Sequence, residues 1–441
     1  MHLERGGSRQ SLEPETLMRV LWFTNDPLPV VLRHMGRTPT GTGAWMPSLL
    51  ENLMATPGLE IDVVSAYPGL RDLHFREDGV GYFVLGQPRF QSFFGCTKRD
   101  LAMCADLVRQ QAPDLIHIHG TERFYGLLPA RGLIRTPCTI SIQGLLEPYL
   151  AGFFGALSTP ELWRSERLAE VATRRGLLWQ YRAFVAGSRQ EREILAGAKA
   201  VMGRTDWDRA HVSRVNPEAK YFHVDEVLRR EFKHATWDIS SCEPHTIIFT
   251  NAGEPRRGTE ILLRALPMIL REFPDTKLRL GGGIGDRRGY HRFLRRMIAE
   301  TGLSRSVEFL GYLDSTAMAD QLSRSHVFAI SSYIENSPNS LCEAMQAGLP
   351  CVATFAGGIP SLVEHGRTGL LFPAGDAALL ADSILRIFRS DDLAAGLGRA
   401  ARASATERHD PQRIVSQLLN AYQTVLADGR TTQQELVAVS V

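Results

Sequence analysis

No apolar run in this sequence approaches the roughly 20 residues needed to cross a bilayer as a helix. The first 17 residues have no apolar signal core either, because Arg5 and Arg9 are mixed with Glu4, Glu13 and Glu15. Residues 1–17 therefore read as a disordered tail or as an upstream start ahead of Met18. Six cysteines are present, Cys96, Cys104, Cys138, Cys242, Cys342 and Cys351, and none forms a C-x-x-C pair. Several lie inside apolar runs, as buried thiols do, which predicts a reducing cytosol and neither a zinc site nor a disulfide frame. Excess charge is also missing. Lys and Arg number 50 against 48 Asp and Glu, a net charge of +2, so no global basic field points to nucleic acid. A dinucleotide fingerprint needs G-x-G-x-x-G directly between strand and helix. Gly281-Gly282-Gly283-Ile284-Gly285-Asp286 ends in Asp286, and Gly41-Thr42-Gly43-Ala44-Trp45-Met46 lies far from its strand and lacks the third glycine. No Walker sequence is present, and there are no low-complexity tracts.

What is present is a chain of 441 residues, 44% hydrophobic and 22% charged, which suits two globular domains. Short, nearly continuous apolar runs at 20–24, 61–65, 82–85, 115–119, 139–143 and 200–203 read as buried parallel strands. A second series lies at 246–250, 277–281, 307–310, 327–331 and 351–354. Helical patterns separate the strands, so the fold class is α/β, with two Rossmann-like doubly wound domains. Ligands of such sheets bind beyond the carboxyl ends of the strands, which places a cleft between the domains. Predicted boundaries are 18–224 for the first domain, a polar, irregular linker at 225–243, and 244–409 for the second. Asp410-Pro411 reads as a helix start and Gly429 as its end, with Ile414, Leu418, Tyr422 and Val425 on one apolar face. That 410–429 helix is expected to pack back toward the first domain, and 430–441 to form a tail.

Chemistry concentrates in 331–376, SSYIENSPNSLCEAMQAGLPCVATFAGGIPSLVEHGRTGLLFPAGD. It opens at the end of a strand. Ser337-Pro338 reads as an N-cap followed by proline at the first helical position, which leaves the amides of Asn339 and Ser340 as free donors. Those donors and the helix dipole suit an anion such as a diphosphate. Glu335 precedes the helix and Glu343 lies about one turn inside it, so the two carboxylates can hold different parts of one ligand.

These residues resemble the family-4 retaining glycosyltransferases of GT-B fold. The shared pattern is Glu335-x7-Glu343, then Ala344-Met345-Gln346-Ala347-Gly348, Leu349-Pro350, Gly357-Gly358-Ile359-Pro360 and Thr368-Gly369-Leu370-Leu371-Phe372. The likeness is strong over about 245–425 and weaker before that. It implies that Glu343 holds the donor ribose and that Glu335 lies beside the transferred sugar. It places the diphosphate against Arg256 and Arg257, in the loop after the first strand of the second domain. Arg257 stands where the family has lysine, and Arg256 stands in for an arginine with no counterpart here. Gly41 and Gly43 are implied near the donor phosphates, and Tyr312, in Gly311-Tyr312-Leu313, near the nucleobase. Gln143 departs from the family, which commonly carries a histidine there beside the donor sugar. Glutamine can hydrogen-bond a hydroxyl but cannot titrate near neutral pH. His117 and His119, in the family's His-x-His-Gly strand end, share one strand face. They read either as a structural pair or as an acceptor contact.

The resemblance implies a retaining transferase that moves a sugar from a nucleotide-sugar donor to a glycan, lipid-linked or small-molecule acceptor in polysaccharide or glycoconjugate synthesis. It implies no cofactor and no divalent metal, with Glu335, Arg257 and Gln143 at the reacting centre. Alternatives are a catalytically silent sugar-nucleotide-binding subunit, a GT-B sugar epimerase and a phosphorylase-like enzyme. Residues 145–190 mix Phe153, Phe154, Leu162, Trp163, Trp179, Tyr181 and Phe184 with six arginines. That mixture reads either as a peripheral contact with an anionic inner-membrane surface or as core faces with solvated arginines. The expected location is the cytoplasm.

Overall fold

A computed structural model of the protein describes residues 17–37, 45–69, 71–89, 91–166, 168–174, 176–283 and 289–438. Gly41 and Gly43 lie outside the described residues. Two sheets organise the chain. The first holds β1 (Met18–Thr24), β2 (Leu59–Pro68), β3 (Leu73–Glu77), β4 (Val80–Gln87), β5 (Leu115–His119), β6 (Cys138–Ser141), β7 (Ala200–Gly203) and β8 (Lys220–His223). Their order across the sheet is β3-β4-β2-β1-β5-β6-β7-β8. The second sheet holds β9 (Thr246–Phe249), β10 (Lys277–Gly281), β11 (Val307–Gly311), β12 (Val327–Ile330), β13 (Cys351–Thr354) and β14 (Leu370–Phe372), in the order β11-β10-β9-β12-β13-β14. Every pairing is parallel except β3 with β4. The expected α/β fold of two Rossmann-like domains is therefore present.

Periodicity found the central strands because both of their faces are covered. Val20 to Thr24 of β1 and all of β5 are buried, and so are all four residues of β9, β12 and β13. Of the strands it missed, β14 is largely buried but only three residues long, whereas β3 and β8 lack that signature. β3 alternates between half-buried and exposed residues at the sheet edge. A local signal did exist there, since Asp78-Gly79 joins β3 to β4 with positive φ at both residues (51° and 81°), the geometry of a tight hairpin turn. β8 is partly or fully exposed along its length, so no buried apolar run marked it in the sequence. The 225–243 linker, expected to be polar and irregular, carries buried apolar residues. Val227, Leu228, Phe232 and Trp237 in it are buried, and a short helix, Glu231–His234, interrupts it.

The last helix runs from Pro411 to Ala438, so Gly429 does not end it and most of the expected 430–441 tail is helical. A single glycine costs a helix about 1 kcal/mol relative to alanine, too little to stop one already docked. Asp410 caps its start by accepting from the Arg413 amide at 2.8 Å. Ile414, Leu418, Tyr422 and Val425 are buried against the first domain, in one cluster with Val20, Trp22 and Leu49. Burying one large apolar side chain contributes roughly 1.5–3 kcal/mol, so this stripe outweighs the glycine. The aromatic segment 145–190 is divided. Phe153 is buried, its ring meets Phe154, Tyr181 and Phe184 edge-on, and Phe154 and Leu162 pack against the second domain's core. Trp163 is 64% exposed, and Val171 and Leu178 are also exposed. No helix among the described residues is long and apolar enough to cross a membrane.

Candidate active site

The loop after β12 and the helix Asn339–Ala347 build the site. Pro338 is the N-cap with extended backbone, so the helix begins one residue later than the sequence suggested and Ser337 lies outside it. The Pro338 carbonyl accepts from the amides of Leu341 and Cys342. The Asn339 and Ser340 amides, two residues earlier, make no backbone bond to the chain among the described residues. Burial is high around this start: Glu335 is 4% exposed, Asn336 1% and Glu343 3%, values that make an unpaired carboxylate there untenable.

Each carboxylate has an arginine. Arg257 Nη1 donates to Glu335 Oε1 in a tight ion pair, and Ser332 Oγ donates to the same oxygen at 2.8 Å. Arg229 holds Glu343 with two parallel bonds, Nε to Oε1 and Nη2 to Oε2, both 2.8 Å. Burial pushes the Glu343 carboxyl up and Arg229 pulls it back. Arg257 is drawn down to about 10 by burial and by neighbouring Arg256, so it remains protonated near neutral pH. Its buried Nε makes no hydrogen bond within the chain, and Glu254 Oε2 lies 3.9 Å from it. Arg256 is bound at Nε by Glu254 at 2.8 Å, and its guanidinium lies 5.3 Å from the Tyr149 ring centre.

Two glycines let the loops meet. Gly258 (φ 68°) follows the arginine pair, and a Cβ there would collide with the Ser331 carbonyl oxygen. Gly357 (φ 56°) packs so close to Glu335 that a Cβ would strike its carbonyl oxygen, while the Gly358 amide donates to that oxygen at 2.9 Å. Only glycine fits such an approach at positive φ.

Asn336, between the two glutamates, ties the domains together. Its amide donates to the Tyr149 hydroxyl (3.1 Å), its Oδ1 accepts from Thr205 (2.7 Å) and its Nδ2 reaches the Gln143 carbonyl (3.4 Å). Gln143 is fixed from behind by Arg204, which donates to its Oε1 at 3.2 Å and to the Ile142 carbonyl at 2.6 Å. The structure thus gathers Glu335, Arg257, Arg256, Asn339, Ser340 and Glu343 around one helix start, with Gln143 across the cleft. Tyr312, after β11, is 63% exposed.

Arg229, Asn336, Tyr149 and Arg204 were missed by sequence reasoning. Asn336 sat inside the quoted motif but carries no charge. Arg229 lies more than 100 residues from Glu343, and nothing local marks it. Of the histidine pair, His117 has the structural role that one reading gave it. His117 meets the Tyr422 hydroxyl at 2.7 Å and Ser141 Oγ at 2.6 Å, so it docks the last helix. His119 is buried against Trp22, and neither ring nitrogen has a partner. No group of three His, Cys, Asp or Glu residues placed to hold a metal occurs among the described residues.

Residues 40–224 match the glycosyl transferase 4-like domain, and residues 238–404 match the glycosyl transferases group 1. A phosphatidyl-myo-inositol mannosyltransferase from Mycobacterium leprae is 34% identical over 190 residues, 43% of this chain and 49% of that protein. The chain spans about half the length of the curated relatives it matches. Sucrose-phosphate synthase from Thermosynechococcus elongatus superposes with a TM-score of 0.70 at 19% identity, over 93% of this chain and all of that one. HepE from Anabaena, solved in complex with UDP-glucose, superposes with a TM-score of 0.65 at 17% identity, over 92% of this chain and 100% of its own. Two matched domains, one after the other on a GT-B frame, place the chain in the group 1, 4-like family of glycosyltransferases.

Proposed function

We propose that the protein transfers a glycosyl group from a nucleotide-sugar to an acceptor with retention of configuration. The observation that carries this reading is the helix start at Asn339, flanked by Glu335 and Glu343, each carboxylate held by its own arginine. A carboxylate has about four lone-pair positions, so Glu343 can bind Arg229 and still accept two ribose hydroxyls. The Asn339 and Ser340 amides with Arg256 and Arg257 would take the diphosphate and stabilise it as it departs. Glu335 and Gln143 would orient the sugar from opposite sides of the cleft, and Tyr312 would border the base. The acceptor hydroxyl attacks the anomeric carbon on the face the diphosphate leaves, and its proton passes to a departing phosphate oxygen. Positioning then supplies most of the rate.

This reading includes independence from divalent metal, since the arginines and helix amides meet the diphosphate charge. Activity should survive EDTA, and loss restored by Mg²⁺ alone would contradict it. UDP-glucose bound to HepE suggests uridine nucleotides as the first donors to try, and the mannosyltransferase relative suggests a lipid acceptor. Nucleotide release from a donor panel by the purified protein tests the reading. Turnover of one donor is expected, and binding of donors without any release would favour a silent binding subunit instead. Gln143 favours that second reading, because Arg204 fixes it and it cannot act as an acid or base near neutral pH. The expected cytoplasmic, membrane-peripheral location rests on exposed Trp163, Val171 and Leu178 among arginines. Sedimentation with anionic liposomes at low salt tests it, and a wholly unbound protein would refute it.

A further inference from the structure

A second cleft opens beyond the carboxyl ends of β1, β2, β4 and β5, away from the helix start at Asn339. It encloses about 730 Å³, and Asp26, Arg37, Tyr67, Arg89, Phe93 and Arg123 line it. Three of those six side chains are guanidinium groups and one is a carboxylate. Arg37 and Arg89 are exposed at its rim, where Arg37 lies 5.9 Å from the Tyr67 ring centre. Arg123 is different. It is 1% exposed and makes no salt bridge among the described residues, and the carboxylate whose charge it feels is Asp26, in the same lining. Its one hydrogen bond goes from Nη2 to Gln87 Oε1 at 2.6 Å. Gln87 in turn donates to Asp100 Oδ1 at 3.0 Å, so the nearest carboxylate on this path is one residue removed and already occupied by Thr97. Arg123 Nε and Nη1 are buried without partners. The guanidinium lies 5.1 Å from the ring centre of Phe93, which is itself a wall of the cleft.

A buried charge is retained where it is paired or where a ligand pairs it. Arginine presents its donors in a planar fork that matches the oxygens of phosphate and carboxylate. We propose that this cleft receives the acceptor, and that the acceptor carries an anionic group, phosphate or carboxylate, held by Arg123 within and by Arg37 and Arg89 at the rim. Asp26, the one carboxylate in the lining, then serves a hydroxyl of the same molecule. This inference rests on the transferase reading for the word acceptor. The anion site itself rests on Arg123 and its cleft.

Calorimetry on the full chain tests it, with a nucleoside diphosphate present in excess so that the Asn339 helix start is filled. The probes are sn-glycerol 3-phosphate, succinate, and vesicles of phosphatidylglycerol in phosphatidylcholine. At least one probe should bind. R37Q and R89Q, on the exposed rim, should each weaken it several-fold at low salt and flatten its salt dependence, because exposed charges are screened. R123K keeps the charge but loses the fork and should weaken it by about tenfold or more at every salt concentration. Tight binding of a small anion would mark a free acceptor. Binding of phosphatidylglycerol vesicles alone, lost in R123K, would mark a lipid-borne one. The proposal is overturned if no probe binds, or if R37Q, R89Q and R123K, each with native thermal stability, all bind as the parent does. Should R123K unfold, the two rim variants decide alone. A protein that binds no nucleoside diphosphate but keeps arginine-dependent anion binding would sink the transferase reading and leave this site standing.

Discussion

The helix start at Asn339 in the second domain and the Arg123 cleft in the first treat buried charge in opposite ways. In the second domain Glu335 and Glu343 are nearly inaccessible, and each is held by an arginine. In the first domain Arg123 is just as inaccessible and makes no salt bridge among the described residues, with only the field of Asp26 in the same cleft to offset it. A pre-paired carboxylate is stable without ligand and can share its remaining lone pairs with a neutral polyol such as ribose. An unpaired guanidinium is stable only at a cost that a bound anion would remove. The contrast teaches that the same chemistry, an arginine beside an oxygen, is completed within the chain on one side and left open on the other.

The largest test of that contrast is removal of Arg229. Deleting one member of a buried pair typically costs about 3–5 kcal/mol, and Arg229, 20% exposed, should fall at or below the lower end of that range. Arg229→Ala should lower the thermal midpoint strongly, whereas Arg229→Ala combined with Glu343→Gln should recover part of it. Equal midpoints for the parent and Arg229→Ala would mean that the pair is not needed for stability.

Next come the glutamates themselves. Glu343→Gln should raise the donor KM and weaken the free nucleoside diphosphate, because ribose contacts are made in ground and transition states alike. Glu335→Gln should depress kcat with little change in nucleotide affinity. A charged hydrogen bond is worth roughly 1.5–3 kcal/mol, so each effect should be about tenfold or more. Calorimetry beside steady-state kinetics separates them, and abolished nucleotide binding in Glu335→Gln with an intact Glu343→Gln would reverse the roles.

A third buried carboxylate lies in the first domain. Glu191 accepts from the amides of Leu146 and Glu147 (2.8 and 3.2 Å) and from Thr121 Oγ1 (2.7 Å). Burial still pushes it up to about 7. A raised folded-state value means the native protein holds a proton that the unfolded chain releases from about pH 4.5 upward. Its stabilising contribution is complete below that pH and is lost as pH rises to about 7. The slope is at most about 1.4 kcal/mol per pH unit. Glu191→Gln should flatten the fall in thermal midpoint between pH 5 and 7, and an unchanged slope would remove Glu191 as its source.

The smallest effect concerns the helix that binds the chain's end to its beginning. Tyr422→Phe removes the hydroxyl that accepts from Trp22 Nε1 at 3.0 Å and meets His117 at 2.7 Å. About 1–2 kcal/mol of stability should be lost in chemical denaturation, with donor affinity unaffected. A change in donor affinity instead would show that the helix acts on the site.

The sequence by itself determined the α/β class, the two parallel sheets and the strand–loop–helix bearing Glu335 and Glu343. Those features are local: covered strands are apolar on both faces, and a helix start is set by neighbours such as Pro338. The arginine pair after β9 was named through the family resemblance, since its contact with Glu335 spans 78 residues. Tertiary structure decided the rest. Arg229 reaches Glu343 from the linker, Asn336 meets Thr205 and Tyr149 from the other domain, and Arg123 is left unpaired by the packing around it. Partners of a buried charge are chosen by three-dimensional proximity across more than 100 residues. No periodicity or spacing along the chain carries that information.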